Sequence, residues 1–89
     1  MGFLEERVSA AIQEYNRYHA PEAVAELVQV SESRFCVFFS GGSLCRSCGV
    51  YDYFDDLRVL LEDFGLRTRI EGFEEGGDGI FVVFVIEKE

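Results

Sequence analysis

The stretch that decides the fold is Ile80-Phe81-Val82-Val83-Phe84-Val85-Ile86, an unbroken apolar run near the end of the chain. β-branched and aromatic residues favour strands. A strand that is apolar on both of its faces is typical of the interior of a sheet. The run is also far shorter than the roughly 20 apolar residues of a membrane-spanning helix. The sequence therefore predicts a central β-strand here.

Three further strands are predicted around this one. A strand is predicted from Arg34 to Phe39, and its residues Phe35 to Phe39 are again apolar on both faces. Ala25 to Ser31 precedes it across the short turn Glu32-Ser33, so the two should form a hairpin. Leu66 to Glu71 alternates between apolar and polar residues, which is typical of an edge strand with one solvent-exposed face. The glycine-rich segment from Glu74 to Gly79 should be a flexible hairpin loop that leads into the central strand.

Two amphipathic helices are predicted from apolar residues that recur at helical spacing. The first extends from Phe3 to Tyr18 and should end before Pro21, because proline cannot extend a helix. The second extends from Asp52 to Phe64, with acidic residues at its start, where the helix dipole favours negative charge. Gly65 should cap it in a left-handed conformation.

The order of elements is therefore αββαββ, which predicts a two-layer α+β sandwich with a four-stranded, mostly antiparallel sheet and two helices. With 89 residues, the chain should form a single domain over residues 1–89. A helix joins the second and third strands. Because such crossovers are right-handed and join strands of the same direction, we expect these two strands to run parallel.

This fold leaves a packing problem, because two strands are apolar on both faces and only two helices exist to cover them. If both helices lie on one side, phenylalanine and valine side chains on the other side form an apolar patch, which self-association would hide. We therefore expect a homodimer, or else a protein partner. The alternative is that long loops fold over the second face.

Composition excludes several classes of partner. The net charge is −9, which repels phosphate backbones and anionic headgroups, and the arginines are scattered among acids. We expect no nucleic acid and no membrane partner. The N-terminus carries acids where a secretory signal carries bases, and the three cysteines are an odd number, so we expect a cytoplasmic protein without a disulfide framework.

The pair Cys45 and Cys48 is the most chemically specific feature of the sequence, since it lies between a Gly-Gly turn and a predicted helix. A helix N-terminus and the neighbouring Arg46 both stabilise thiolate, whereas the acids that follow oppose it, namely Asp52, Asp55 and Asp56. In a thiol–disulfide reaction Cys45 would attack and Cys48 would resolve. Two partly buried thiols that pack as small apolar groups are the simpler interpretation.

The order of a strand, Cys-x-x-Cys, a helix and two strands resembles part of a thioredoxin-like fold, and Phe38-Phe39-Ser40 before the cysteines suits that likeness. The resemblance implies a redox role for the pair. It does not extend to the proline that such proteins place beside the dithiol, because the only proline is Pro21, upstream of it.

The Cys-x-x-Cys pair is also half of a zinc site, for which Cys36 and His19 are the remaining soft ligands. The simpler interpretation makes Cys36 a core residue of its strand and gives His19 a role at the helix C-terminus, where it complements the dipole. Asp55 and Asp56 are explained by their position near a helix start. We favour a non-enzymatic association domain without a cofactor, and a redox protein is the alternative.

Overall fold

The computed structural model describes residues 2–20, 23–41 and 51–87. Two helices and a four-stranded antiparallel sheet follow one another in the predicted order αββαββ, so the α+β fold class is confirmed. The elements are α1 (Gly2–His19), β1 (Val24–Val30), β2 (Arg34–Ser40), α2 (Tyr51–Asp63), β3 (Thr68–Gly76) and β4 (Gly79–Ile86).

The strands lie in the order β1-β2-β4-β3, and every neighbouring pair is antiparallel. The fully apolar strand β4 is central and the alternating strand β3 is at an edge, as predicted. β2 and β3 run in the same direction, as expected. They are not neighbours, however, because β4 inserts between them and makes all pairings antiparallel.

The hairpin between β3 and β4 is tighter than predicted. A loop was expected from Glu74 to Gly79, but β3 continues to Gly76 and only Gly77 and Asp78 form the turn. Gly77 has a φ of 60°, which glycine adopts without steric cost. Glu74 and Glu75 pair with residues of β4 and are both exposed, so acidic residues do not end the strand.

The end of α2 explains why β3 begins at Thr68 and not at Leu66. Gly65 has a φ of 86°, which confirms the predicted left-handed cap. The backbone N–H of Leu66 donates to the carbonyl of Leu61 at 2.9 Å, and that of Gly65 donates to Glu62 at 3.0 Å. This is a Schellman motif, and Leu61 and Leu66 are both buried beside it.

Both edge strands contain a register shift. In β1, Leu27 pairs with Val37 and Gln29 pairs with Cys36, so Val28 is an extra residue. In β3, Glu71 is the extra residue between two paired positions. Each shift is a β-bulge, which increases the local twist of the strand.

Asn16 joins α1 to the edge strand β1. Its side-chain amide donates to the carbonyl of Ala25 at 3.0 Å, and its Oδ1 accepts from the N–H of Ala25 at 2.7 Å. The side chain of Asn16 thereby supplies a donor and an acceptor to backbone groups of β1 that face away from the other strands of the sheet. The contact fixes α1 against one face of the sheet.

The core lies between the sheet and both helices, which cover the same face. One set of alternating side chains from β2 and β4 is buried there, and the rings of Phe35 and Phe84 stack at 5.3 Å. The core residues with the largest buried side chains are Val8, Tyr15, Phe35, Val37, Phe39, Phe54, Leu57, Leu61, Val82 and Phe84. The opposite face of the sheet has no helix over it within the described ranges.

Candidate functional site: the open face of the sheet

The surface opposite the helices is the candidate site, and we call it the open face. Side chains alternate along a strand, so the burial of Phe35, Val37 and Phe39 directs the intervening residues of β2 outward. The same alternation applies to β4, where Val82 and Phe84 are buried. The open face consists of Glu26, Gln29, Arg34, Cys36, Phe38, Arg69, Glu71, Glu74, Phe81, Val83 and Val85.

The centre of the open face is apolar. Phe38 and Phe81 are direct partners in the register of β2 and β4, and their ring centroids lie 4.7 Å apart. Cys36 and Val83 form the next pair. Phe81 is 37% exposed although it lies on a central strand. No helix of the described ranges lies over this strip of four apolar side chains.

Acidic residues flank the phenylalanine pair. Glu26 on β1 is paired in register with Phe38, and Glu74 on β3 is paired in register with Phe81. We call this line of four residues the acidic row. Both carboxylates are exposed, and neither makes an ion pair with another described residue. They therefore border the apolar centre with uncompensated negative charge.

Basic residues lie at the other end of the strands. Arg34 pairs with Val85, which pairs with Arg69, and we call these three the basic row. Arg34 contacts Glu71 at 3.5 Å and Arg69 contacts Glu87 at 3.5 Å, and all four side chains remain about half exposed. Exposed ion pairs of this kind contribute little to stability. The two arginines thus remain accessible to a partner.

Cys36 corrects one prediction. It was expected in the core, but its side chain lies half-buried on the open face. The sequence is apolar on both sides of this residue, so nothing in it indicates which set of side chains the helices cover. Burial raises the pKa of the Cys36 thiol. At neutral pH it is therefore a protonated, weakly nucleophilic thiol, and it adds to the apolar strip.

Cys45 and Cys48 lie outside the described residues. The hypotheses of a redox pair and of a zinc site at these cysteines therefore stay predictions. Among the residues that the structure does describe, no group of three or more histidine, cysteine, aspartate or glutamate side chains is placed to hold a metal ion. None of the described helices is long and apolar enough to cross a membrane.

His19 lies in a small cluster that sequence reasoning missed. Its Nδ1 is 3.0 Å from the backbone carbonyl of Tyr15, and its Nε2 is 3.2 Å from Oδ2 of Asp56. Its ring stacks on that of Tyr15 with centroids 4.1 Å apart. Asp56 was explained only by its place near a helix start, and no local pattern indicates a partner 37 positions away.

The hydroxyl of Tyr15 completes this cluster by donating to the backbone carbonyl of Tyr53 at 3.0 Å. Burial raises the pKa of Tyr15, and the nearby Asp56 carboxylate adds to that effect. The phenol is therefore a firm hydrogen-bond donor and not a base. A nucleophile would need a neighbouring base and an orienting group, and the cluster supplies only a link between α1 and α2.

Protein-family models and curated proteins were compared with the sequence. Nothing matches it. No relative therefore suggests a function, and the geometry and chemistry of the open face are the basis for a proposal.

Proposed function

We propose that this protein is a non-enzymatic association domain that binds a second copy of itself through the open face. The observation that carries the proposal is the apolar strip of Cys36, Phe38, Phe81 and Val83, which lies in the middle of the sheet with no described helix over it. Large aromatic side chains in such a position are typical anchors of protein interfaces. Contact with a second sheet would remove them from water.

The size of the open face sets the expected affinity. Four strands about 4.8 Å apart and about seven residues long, at about 3.3 Å per residue, cover roughly 450 Å² in projection. Stable interfaces bury about 800 Å² on each partner. The contact is therefore at the small end of specific interfaces, and we expect a dissociation constant in the micromolar range.

The charge distribution favours the open face as the contact surface. Two copies of a chain with a net charge of −9 repel each other at long range. On the open face, however, Arg34 and Arg69 nearly balance Glu26, Glu71 and Glu74, so these residues contribute little of the net negative charge. Screening by salt should therefore strengthen association through this face.

The test is sedimentation velocity over a range of about 1 to 100 µM, which brackets micromolar dissociation. We expect the mass of the sedimenting species to rise from monomer to dimer. Phe81→Ser should shift the midpoint to higher concentration. Tyr18→Ser is the matched control, because Tyr18 is 72% exposed on α1, on the helix side of the sheet.

A wild-type protein that remains a monomer over this range would refute the proposal. So would an equal loss of association in both variants, because the effect would then not depend on the open face.

A further inference from the structure

The acidic and basic rows lie at opposite ends of the open face, so the two ends differ in charge. We infer that the two copies pair with the acidic row of each over the basic row of the other, related by a two-fold axis that crosses the strands at Cys36 and Val83. This inference rests on the proposed self-association and specifies its geometry.

The rows are separated along the strands. Arg34 and Phe38 lie on the same side of β2, four residues apart, which is about 13 Å at about 3.3 Å per residue. Cys36 lies midway between them. The pairings on β4 and β3 extend the same order to Val85 and Arg69 at one end and to Phe81 and Glu74 at the other. One end of the face therefore carries Glu74, whereas the other carries Arg34 and Arg69, each with an exposed carboxylate beside it.

Two symmetric arrangements bring two such faces together. A two-fold axis parallel to the strands places the acidic row of one copy over the acidic row of the other, so Glu74 approaches a glutamate of the second copy. A two-fold axis perpendicular to the strands reverses the strand direction of the second copy, and it places Glu74 of one copy over Arg69 of the other. Like charges in contact are strongly unfavourable, whereas opposite charges set the register of an interface. The charges therefore select the second arrangement.

The axis across the strands keeps each strand over its own counterpart. On β3, Glu74 of one copy meets Arg69 of the other, and this contact occurs twice. On β2, the guanidinium of Arg34 lies over the ring of Phe38, which is a favourable cation–π contact. On the axis itself, Cys36 faces its own counterpart. In this one arrangement, the apolar strips of the two copies lie over each other, and each acidic row lies over a basic row.

Cys36 should be shielded in this dimer without forming a disulfide. Packed sheets lie about 10 Å apart, and a disulfide requires Cα atoms within about 6.8 Å of each other. The thiols therefore approach across the axis but do not reach bonding geometry. Protection of Cys36 from a maleimide reagent should follow the fraction of dimer as concentration rises.

The decisive experiment exchanges the charges. Glu74→Arg alone creates two arginine–arginine contacts, and Arg69→Glu alone creates two glutamate–glutamate contacts, so each variant should associate at least about tenfold more weakly than wild type. In an equimolar mixture of the two single variants, a mixed dimer can form. In that dimer, each substituted residue lies over a residue of opposite charge. We expect native mass spectrometry to show the mixed dimer as the dominant dimer, and we expect the double variant to associate like wild type.

The controls change the same charges elsewhere. Glu6→Arg and Arg17→Glu lie on exposed positions of α1, on the helix side, and alter the net charge by the same amounts. Because they leave the open face intact, they should shift association only through overall repulsion, and their mixture should show no preference for the mixed dimer. Far-UV circular dichroism of each variant checks that it is folded.

The failures of the two proposals are distinguishable. If wild type dimerises but the charge-exchanged pair shows no preference for the mixed dimer, the two-fold arrangement is wrong while self-association stands. If wild type is a monomer whose Cys36 is nonetheless protected from maleimide at all concentrations, the chain covers its own open face, and both proposals are overturned.

Discussion

The Nε2 atom of His19 lies 3.2 Å from Oδ2 of Asp56, which ties the end of α1 to the first turns of α2. The other ring nitrogen faces the backbone carbonyl of Tyr15. Both partners of the ring are acceptors. The two helices that cover the core are thus joined through the imidazole ring of His19.

A double-mutant cycle measures this contact. Because the Asp56 side chain is more than half exposed, we expect a coupling of about 0.5 to 1 kcal/mol between His19→Phe and Asp56→Asn in urea unfolding. Phenylalanine retains the stack on Tyr15 and removes only the donors. A coupling near zero would contradict an energetic role for the contact between His19 and Asp56.

Tyr15 should make stability fall in alkaline solution. Its pKa is raised in the folded protein, so the unfolded chain releases this proton first as pH rises. The contribution is complete below a pH of about 10 and is lost progressively above it. Tyr15→Phe should flatten that alkaline loss, and it should destabilise at neutral pH by about 0.5 to 1.5 kcal/mol because the part-buried hydrogen bond to the carbonyl of Tyr53 is lost. An unchanged alkaline slope in the variant would count against this assignment.

Two phenylalanines on β4 separate stability from association. Phe84 is fully buried against Phe35, so Phe84→Ala should lower the free energy of unfolding by about 3 to 5 kcal/mol. Phe81 faces the other way, and Phe81→Ala should cost much less stability while it weakens dimerisation. Unfolding of both variants is measured at a concentration where the protein is monomeric. Equal losses of stability would show that the two faces are not distinct.

Gly79 is required by close packing. A Cβ at this position would lie 2.1 Å from the carbonyl oxygen of Phe39 and 2.7 Å from Cζ of Phe38. Gly72 is the matched control, because a Cβ there meets nothing within 4 Å. Gly79→Ala should destabilise by more than about 1 kcal/mol, whereas Gly72→Ala should be close to neutral. Thermal unfolding of the two variants compares them directly.

The cysteine pair can be separated from Cys36 by removing the latter. In Cys36→Ala, only Cys45 and Cys48 react with a thiol reagent, and we expect their rates to follow an ordinary thiol pKa of about 8.5. This expectation rests on the sequence, in which Asp55 and Asp56 follow the pair, because nearby negative charge opposes thiolate formation. Rapid reaction that persists at a pH of about 6 would instead support the redox alternative.

The sequence predicted the helices and the strands because their periodicities are strong. It identified β4 as central and β3 as an edge strand from the pattern of apolar residues alone. It did not predict that β4 lies between β2 and β3, because a crossover fixes the relative direction of two strands and not what separates them. The length of β3 was missed because glutamate and glycine are unfavourable in strands in general but are tolerated at a solvated edge.

The candidate site was predicted only in outline. An uncovered apolar face followed from counting helices against apolar strands, but its residues did not, because Phe35 and Phe38 are equally apolar and only the fold decides which of them the helices cover. The rows of opposite charge depend on strand register, which places Glu26 and Glu74 beside residues distant in sequence. The partnership of His19 with Asp56 likewise depends on tertiary structure.

The bulges at Val28 and Glu71 limit how far these molecules can assemble. An exposed strand edge is a template on which further chains can add without end. Here both edges of the sheet are distorted by an extra residue, so a neighbouring strand would find the spacing of N–H and C=O groups interrupted. Growth by edge addition is thereby discouraged. In the proposed dimer, pairing through the open face would use up that face, so the assembly would close at two copies.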